Sequence, residues 1–375
     1  MAWQRDIGQP SKYFEQMNSW ISTLKPYERR LSAASMVGGF AFDNFAFGRV
    51  DHPATQIVLA AYVLVSGGTI AFLHALESHA DWRPAAVRWQ AILSAVTQFA
   101  LGGLWSAFLV FYSRSAVVSA SWPFLLVLAG VLIGNEVFRA YHSRLVFTAI
   151  LFFFALFSYA IFALPVFTRT IGTGTFLLSG ALAVGGFVLF LFVLDTLGAT
   201  RFREALRNIA LGAGAVFLGL NVFYFTSLLP PLPLALSDAG IYHSVKRTGA
   251  TYTVLAEKQP WYVSLGIPAE MHVAPGEPLA LYSAVFAPIA LKTKIAHRWQ
   301  RYDAPSNRWI TESTVPIAIT GGRGDGYRAY TFKSNPKPGN WRVDIDTSDG
   351  RLIGRVQFLV QAAAQPVPTV TKILK

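Results

Sequence analysis

Seven side chains carry most of the chemistry this chain can offer, and they fall into two groups. Asp43, His74, Glu77 and Glu136 sit within or at the ends of strongly apolar stretches. Burying a carboxylate in hydrocarbon costs a few kcal/mol unless it is paired or wet, so such residues are functional candidates by default. Asp43 has two readings: a group lining a polar cavity, or a partner of Arg49, about one and a half helical turns on, or of another span's end. His74 and Glu77 share a helical face and are ligand types for a divalent metal. His79 falls off that face, so the polar end of an apolar helix is the plainer reading. Glu136 and Asp195 lie close to Arg139 and Arg201, where ion pairs or interface solvation account for them.

Arg298, Arg328 and Arg342 form the second group. They alternate with apolar residues in strand-like segments and would make a basic binding surface if they lie side by side on one sheet face. His297 alternates with Ile295 and Trp299, which predicts a core histidine rather than an acid–base group. The tripeptide Arg323-Gly324-Asp325 has glycine on both sides and reads as a hairpin tip. No Ser-His-Asp grouping, phosphate loop or carboxylate pair stands out, and no cofactor is implied. The chain has no Cys, which excludes disulfides and thiolate metal sites.

The elements that position these residues differ sharply along the chain. Between 31 and 229 the sequence is a train of apolar runs, with spans expected at about 31–48, 55–77, 91–113, 117–135, 145–167, 174–195 and 207–229. About 20 apolar residues cross a hydrocarbon core as a helix. The run from Leu145 to Phe167 carries no charge and is apolar all round, unlike a surface helix. Lys and Arg alternate across the connections: twelve fall in the N-terminal segment and every second loop, against three in the others. Because cytoplasmic loops hold the basic excess, seven spans with the N-terminus inside are expected. Residues 1–30 are read as a cytoplasmic segment with an interfacial helix over 11–24, whose Tyr13, Phe14, Met17, Trp20, Ile21 and Leu24 share one face.

Three prolines among residues 230–233 end the last helix and open a linker, 230–249. From 250 to 361 the hydrophobic period becomes two, and turn signals recur, as in Pro275-Gly276, Pro338-Gly339 and Asp349-Gly350. Strands are expected over 250–257, 260–266, 278–285, 290–301, 308–312, 315–320, 327–333, 340–346 and 352–360, the pattern of an all-β immunoglobulin-like sandwich. The tail, 362–375, is expected to be disordered. Residues 240–375 hold 17 Lys and Arg against 9 Asp and Glu. That balance suits anionic lipid, an acidic envelope polymer or a membrane-protein partner beside the bilayer; nucleic acid is not expected there.

The last third resembles a bacterial family of unknown function, domain of unknown function 2914. The resemblance rests on His297-Arg298-Trp299, Arg328 before Lys333-Ser334, Pro338-Gly339-Asn340-Trp341-Arg342-Val343, and Asp349-Gly350 before a strand ending Phe358-Leu359-Val360. The membrane block and its proline exit are similar to the polytopic part that precedes this module in proteobacterial inner-membrane proteins. The resemblance implies a Gram-negative inner membrane with the sandwich in the periplasm, and it brings no catalytic residues. The expected role is therefore display of a binding module, with a membrane-embedded transporter or enzyme acting through Asp43 as the rival.

Overall fold

A computed structural model describes the chain from His52 onward, apart from 80–82, 116–117, 138–143, 232, 250, 261–262, 264–266, 289–290, 322–325 and 375, and the side chains of 83–88, 91, 118–120 and 136. The expected first span, the interfacial helix and Asp43 lie outside the described residues. Five helices are described, not seven: α1 Pro53–Ser78, α2 Arg83–Ser115, α3 Val118–Val137, α4 Leu145–Thr168 and α5 Thr173–Phe225. Four of these are long and apolar enough to cross a membrane, and a shorter apolar helix runs over Ser121–Asn135.

The two spans expected over 174–195 and 207–229 are one element, α5, broken at Gly198, where the backbone leaves helical geometry. Its arms fold back on each other. Phe176 near the start stacks on Tyr224 near the end, with ring centroids 3.7 Å apart. Phe157 of α4 touches both arms through Phe176 and Phe217. Each arm has about 25 residues, hence a rise of about 37 Å, which matches a bilayer. The reversal falls inside the expected connection, 196–206, which is helical on both sides of Gly198 rather than a loop. Gly198 is required by close approach: a Cβ there would collide with Ser78 Oγ of α1 and come within 2.9 Å of His74 Nε2.

Phe and Gly pack the helices together. Phe152 lies in the notch left by Gly67, Tyr62 in that of Gly103, and Ile150 in that of Gly212. Rings pair between helices: Phe152–Phe190 at 4.6 Å, Phe153–Phe187 at 4.8 Å and Trp105–Phe154 at 4.8 Å. The outward surfaces are just as apolar, with Leu64 74% and Phe192 65% exposed. A helix apolar on both sides belongs in lipid, where exposed Leu and Phe cost nothing.

The β region holds eleven strands: β1 Ala235–Tyr242, β2 Ser244–Thr248, β3 Thr251–Ala256, β4 Ala269–Val273, β5 Leu279–Phe286, β6 Lys292–Asp303, β7 Arg308–Thr320, β8 Tyr327–Lys333, β9 Gly339–Thr347, β10 Leu352–Ala362 and β11 Val370–Leu374. They form three sheets, ordered β1-β5-β8, β4-β10-β9-β6-β7 and β11-β3-β2. The main core lies between the first two. Leu279, Leu281 and Val285 of β5 meet Ile295, Trp299, Trp341, Val343 and Phe358 of the five-stranded sheet. The third sheet covers the other face of β5, where Val245, Tyr252 and Val254 pack on Ala280, Tyr282 and Ala284. Buried on both sides, β5 shows seven consecutive buried residues.

The sandwich is therefore backed by a third layer that the sequence reading did not anticipate. The expected linker 230–249 carries β1 and β2, and the expected disordered tail carries β11. β7 runs through Pro316 without a break, because it is an edge strand and a missing N–H is tolerated there. The sandwich sits against the helices at the end opposite the Gly198 elbow. Ile171, between α4 and α5, packs on the main core. The Arg351 guanidinium lies 4.6 Å from the Tyr224 ring centroid and is held by Asp349, with Nε to Oδ2 at 2.9 Å. The Asp349-Gly350 turn is thus a point of attachment to α5, as well as a hairpin.

Candidate functional site

Two arginines of the expected basic surface share the outer face of the five-stranded sheet, and the third does not. In the ladder, Arg298 of β6 lies opposite Asp344 of β9, and Gln300 lies opposite Arg342. Arg298 Nη2 reaches Asp346 at 2.7 Å and Asp344 at 3.5 Å. Arg355 of β10 grips Asp344 with two bonds, 2.6 and 2.9 Å. Arg342 donates to Gln300 Oε1 at 2.7 Å, and its guanidinium lies 4.4 Å from the Trp309 ring centroid. Arg328 stands on β8 of the other sheet. Its strand neighbours Ala329 and Thr331 are buried toward β6, and alternation turns Arg328 the opposite way.

The acidic partners of that face are themselves buried. Burial pushes the Asp346 carboxyl up to about 6, against the opposing pull of Arg298. Its Oδ1 is buried and takes no hydrogen bond among the described residues. The bidentate bond from Asp344 holds the Arg355 guanidinium above its ordinary value. The face is an interlocked ion-pair ladder.

The inner face of the same strands carries His297, fully buried. Its Nε2 lies 2.9 Å from Ser283 Oγ and its Nδ1 3.0 Å from Thr331 Oγ1; Trp299 Nε1 donates to Thr331 Oγ1 at 3.1 Å. Burial pulls the imidazole down to about 4, so it is neutral and bridges the two sheets as one donor and one acceptor. It is the satisfied core histidine that alternation suggested.

Of the membrane candidates, His74 and Glu77 meet at the Gly198 elbow. His74 Nε2 donates to Leu194 O at 3.1 Å, and Glu77 pairs with Arg201 at 2.5 Å. Asp195 pairs with Arg203 at 3.1 Å. The hollow beside His74 and Glu77 holds only about 10 Å³, room for one water. No cluster of three metal-ligating side chains occurs among the described residues. Glu136 lies on α3, and its side chain is outside the described ones.

The largest concavity described in the sandwich lies elsewhere, where all three sheets meet. It is a cleft of about 840 Å³, within the size range of ligand sites. Ile241, Ile267, Val356 and Phe358 supply apolar walls; Tyr242, Gln357 and Lys372 supply polar groups, while Gln259 and Arg355, also in the lining, are engaged by Glu270 O and Asp344. Glu257, at its margin, ties the walls together. It accepts from His243 Nε2 at 2.8 Å, His272 Nδ1 at 2.9 Å and the His272 amide at 2.7 Å. Burial, with Asp238 and Tyr282 nearby, pushes the Tyr242 phenol up to about 12, so it stays a neutral donor. Amide, phenol and cationic donors above aliphatic walls suit a ligand with hydrogen-bonding main-chain groups and apolar side groups. Sequence reasoning missed these residues because β1, β10 and β11 bring them together from positions more than a hundred residues apart, and no local pattern marks them.

Residues 292–360 match a family described as a protein of unknown function, DUF2914. No curated protein matches the chain. Among solved structures, the chain is similar to an immunoglobulin-like protein from Pseudomonas aeruginosa, at 11% identity over 34% of this chain and 96% of that one, with a TM-score of 0.21. It is similar to a Listeria innocua β-glucosidase in complex with isofagomine, at 14% identity over 33% of this chain and 16% of that one, with a TM-score of 0.18. A third is a Pseudomonas fluorescens alkylpurine DNA glycosylase, AlkC, bound to DNA containing an abasic site analog, at 9% identity over 81% and 99%, with a TM-score of 0.20. The family match spans β6 to β10, four strands of the five-stranded sheet and one of the next, so its core needs β5 from outside it. The C-terminal module of this chain thus contains a DUF2914-like segment, residues 292–360.

Proposed function

We propose that this chain is a multi-pass inner-membrane protein that holds its sandwich in the periplasm and uses the three-sheet cleft to bind an envelope component or partner protein, as a scaffold or accessory factor. The cleft carries the reading: it combines ligand-sized volume, apolar walls and donors of three kinds. The excess of Lys and Arg on alternate connections supports the orientation. Arg201, Arg203 and Arg207 follow the elbow, at the end of the helices away from the sandwich.

The arginine face is the weaker binding candidate, since Arg298 and Arg355 already serve buried carboxylates. The rival reading, a membrane-embedded site, centres on Asp43, which lies outside the described residues; the hollow at His74 and Glu77 has room for one water.

A photo-crosslinking residue at Gln357 in living cells tests the proposal, with the same residue at Thr314, on β7, as control. A discrete adduct from Gln357 and none from Thr314 is the expected result. Absence of any adduct from Gln357, with the protein correctly inserted, would overturn the cleft reading. Reporter fusion after Lys375 tests the orientation, and activity confined to the cytoplasm would reverse it.

A further inference from the structure

We propose that β11 is the chain's own occupant of a strand-addition site, and that the cleft's ligand is an extended polypeptide segment that takes its place on β3. The proposal rests on the cleft reading and specifies its ligand class.

β11 is an edge strand that is exposed along most of its length. It pairs with β3, antiparallel, with Val370 opposite Ala256 and Leu374 opposite Tyr252. Val370 is 51% and Ile373 65% exposed, and only Leu374 reaches the apolar cluster around Val254 and Tyr252. The connection from β10, residues 363–369, has no regular structure and contains Pro366 and Pro368, which have no N–H to offer a sheet. Its recorded main-chain tie is Ala363 N to Val273 O, at 3.0 Å, at its very start. Five residues held by one ladder and one side chain form a strand that can leave without disturbing the core.

Its departure would bare the right surface. Lys372 forms part of the cleft wall, so the cleft and the edge of β3 are one continuous site. On that edge the main-chain groups of Tyr252 to Ala256 would face an open groove, the arrangement that an extended peptide completes by β-augmentation. The register of β11 gives the side-chain demand: positions 370, 372 and 374 share the inner face with Ala256, Val254 and Tyr252. The incoming strand therefore needs an apolar residue opposite Tyr252, where Leu374 packs, and a cation opposite Val254, where Lys372 borders the cleft. The pairing is antiparallel, and position 372 borders the cleft.

The full chain in nanodiscs and a variant ending at Thr369 supply the test. The probe is a fluorescent peptide with the sequence of residues 368–375. The truncated chain should bind it saturably, and the full chain at least tenfold more weakly, because a tethered strand competes at an effective concentration on the order of 1 mM. A peptide carrying Thr371→Pro and Lys372→Pro should not bind. Equal binding by both chains, or by the proline peptide, overturns the proposal, provided hydrogen exchange shows β6 and β9 intact in the truncated chain. A full-length dimer that truncation dissolves also overturns it, in favour of strand exchange between copies. Adducts from Gln357 that persist without peptide binding would sink the strand proposal and leave the cleft reading standing.

Discussion

The two faces of the five-stranded sheet bury polar groups in opposite ways. On the inner face, His297 is neutral, fully enclosed, and bonded on both ring nitrogens. On the outer face, Asp344 and Asp346 stay buried beneath Arg298 and Arg355, with Asp346 Oδ1 unbonded among the described residues. One face meets the cost of burial by giving up charge, the other by pairing charges. The difference separates what holds the sheets together from what stiffens one sheet. Only the inner network joins different sheets, since Ser283 and Thr331 belong to β5 and β8.

The inner network is most vulnerable at Trp299. Its indole is fully buried in the main core and supplies the third member of the His297–Thr331 network. Trp299→Ala removes a large ring and leaves a cavity, a loss of about 4 kcal/mol. Hydrogen exchange in β6 and β9 of the full chain should speed up accordingly, while exchange in α4 stays slow. Equal loosening of α4 would show that the sandwich and helices unfold as one unit.

Protonation sharpens the contrast, because the two faces respond to pH with opposite sign. The His297 imidazole is pulled down to about 4, so the folded chain holds fewer protons than the unfolded one between about 4 and 6.5. Its contribution is fully present above pH 6.5 and is lost as pH falls toward 4, about 3 kcal/mol in all. Asp346 is pushed up to about 6, so the folded chain holds more protons between 3.8 and about 6. Its contribution is fully present below 3.8 and is lost as pH rises through 6, by a similar amount. Over this window the two slopes largely cancel in the wild type. His297→Gln should leave a sandwich that weakens as pH rises from 4 to 6; Asp346→Asn should leave one that strengthens. Urea titrations of the full chain at several pH values, followed by exchange in β9, measure both. Parallel curves for the two variants would refute the opposition.

Much of this sheet was legible in the sequence. Ile295, His297 and Trp299 alternate with Lys294 and Arg298, and Trp341, Val343 and Ile345 with Arg342, Asp344 and Asp346, because a strand half against a core has to alternate. The helical block was legible for a related reason: runs too apolar for water need lipid. The reversal between Asp195 and Arg207 was legible as a gap between two apolar runs, but its placement at Gly198 was not, since that rests on the nearness of Ser78 and His74, more than a hundred residues away in sequence. β1 and β2 were hidden by the prolines before them, and β11 by its short, exposed character. Alternation relates Arg328 to Arg298 and Arg342, but it fixes the face of a strand and not the sheet that contains it.

The smallest expected effect belongs to Arg342, where the outer face is least interlocked. Its guanidinium stacks on Trp309 and bonds Gln300, and Gln300 in turn donates to Thr311 at 3.1 Å. Arg342 thus ties β9 to the β6–β7 hairpin without holding a buried carboxylate. Arg342→Ala loses a half-buried stack and one hydrogen bond, about 1 kcal/mol. Arg342→Lys should recover little of it, because an ammonium keeps the charge but not the flat surface against the indole. The change should appear as faster exchange confined to β7, with β9 and β10 unaffected. If Arg342→Ala instead loosens β10 as strongly as Asp346→Asn does, the outer face acts as a single charge network, and its division into a carboxylate ladder and a separate aromatic stack is wrong.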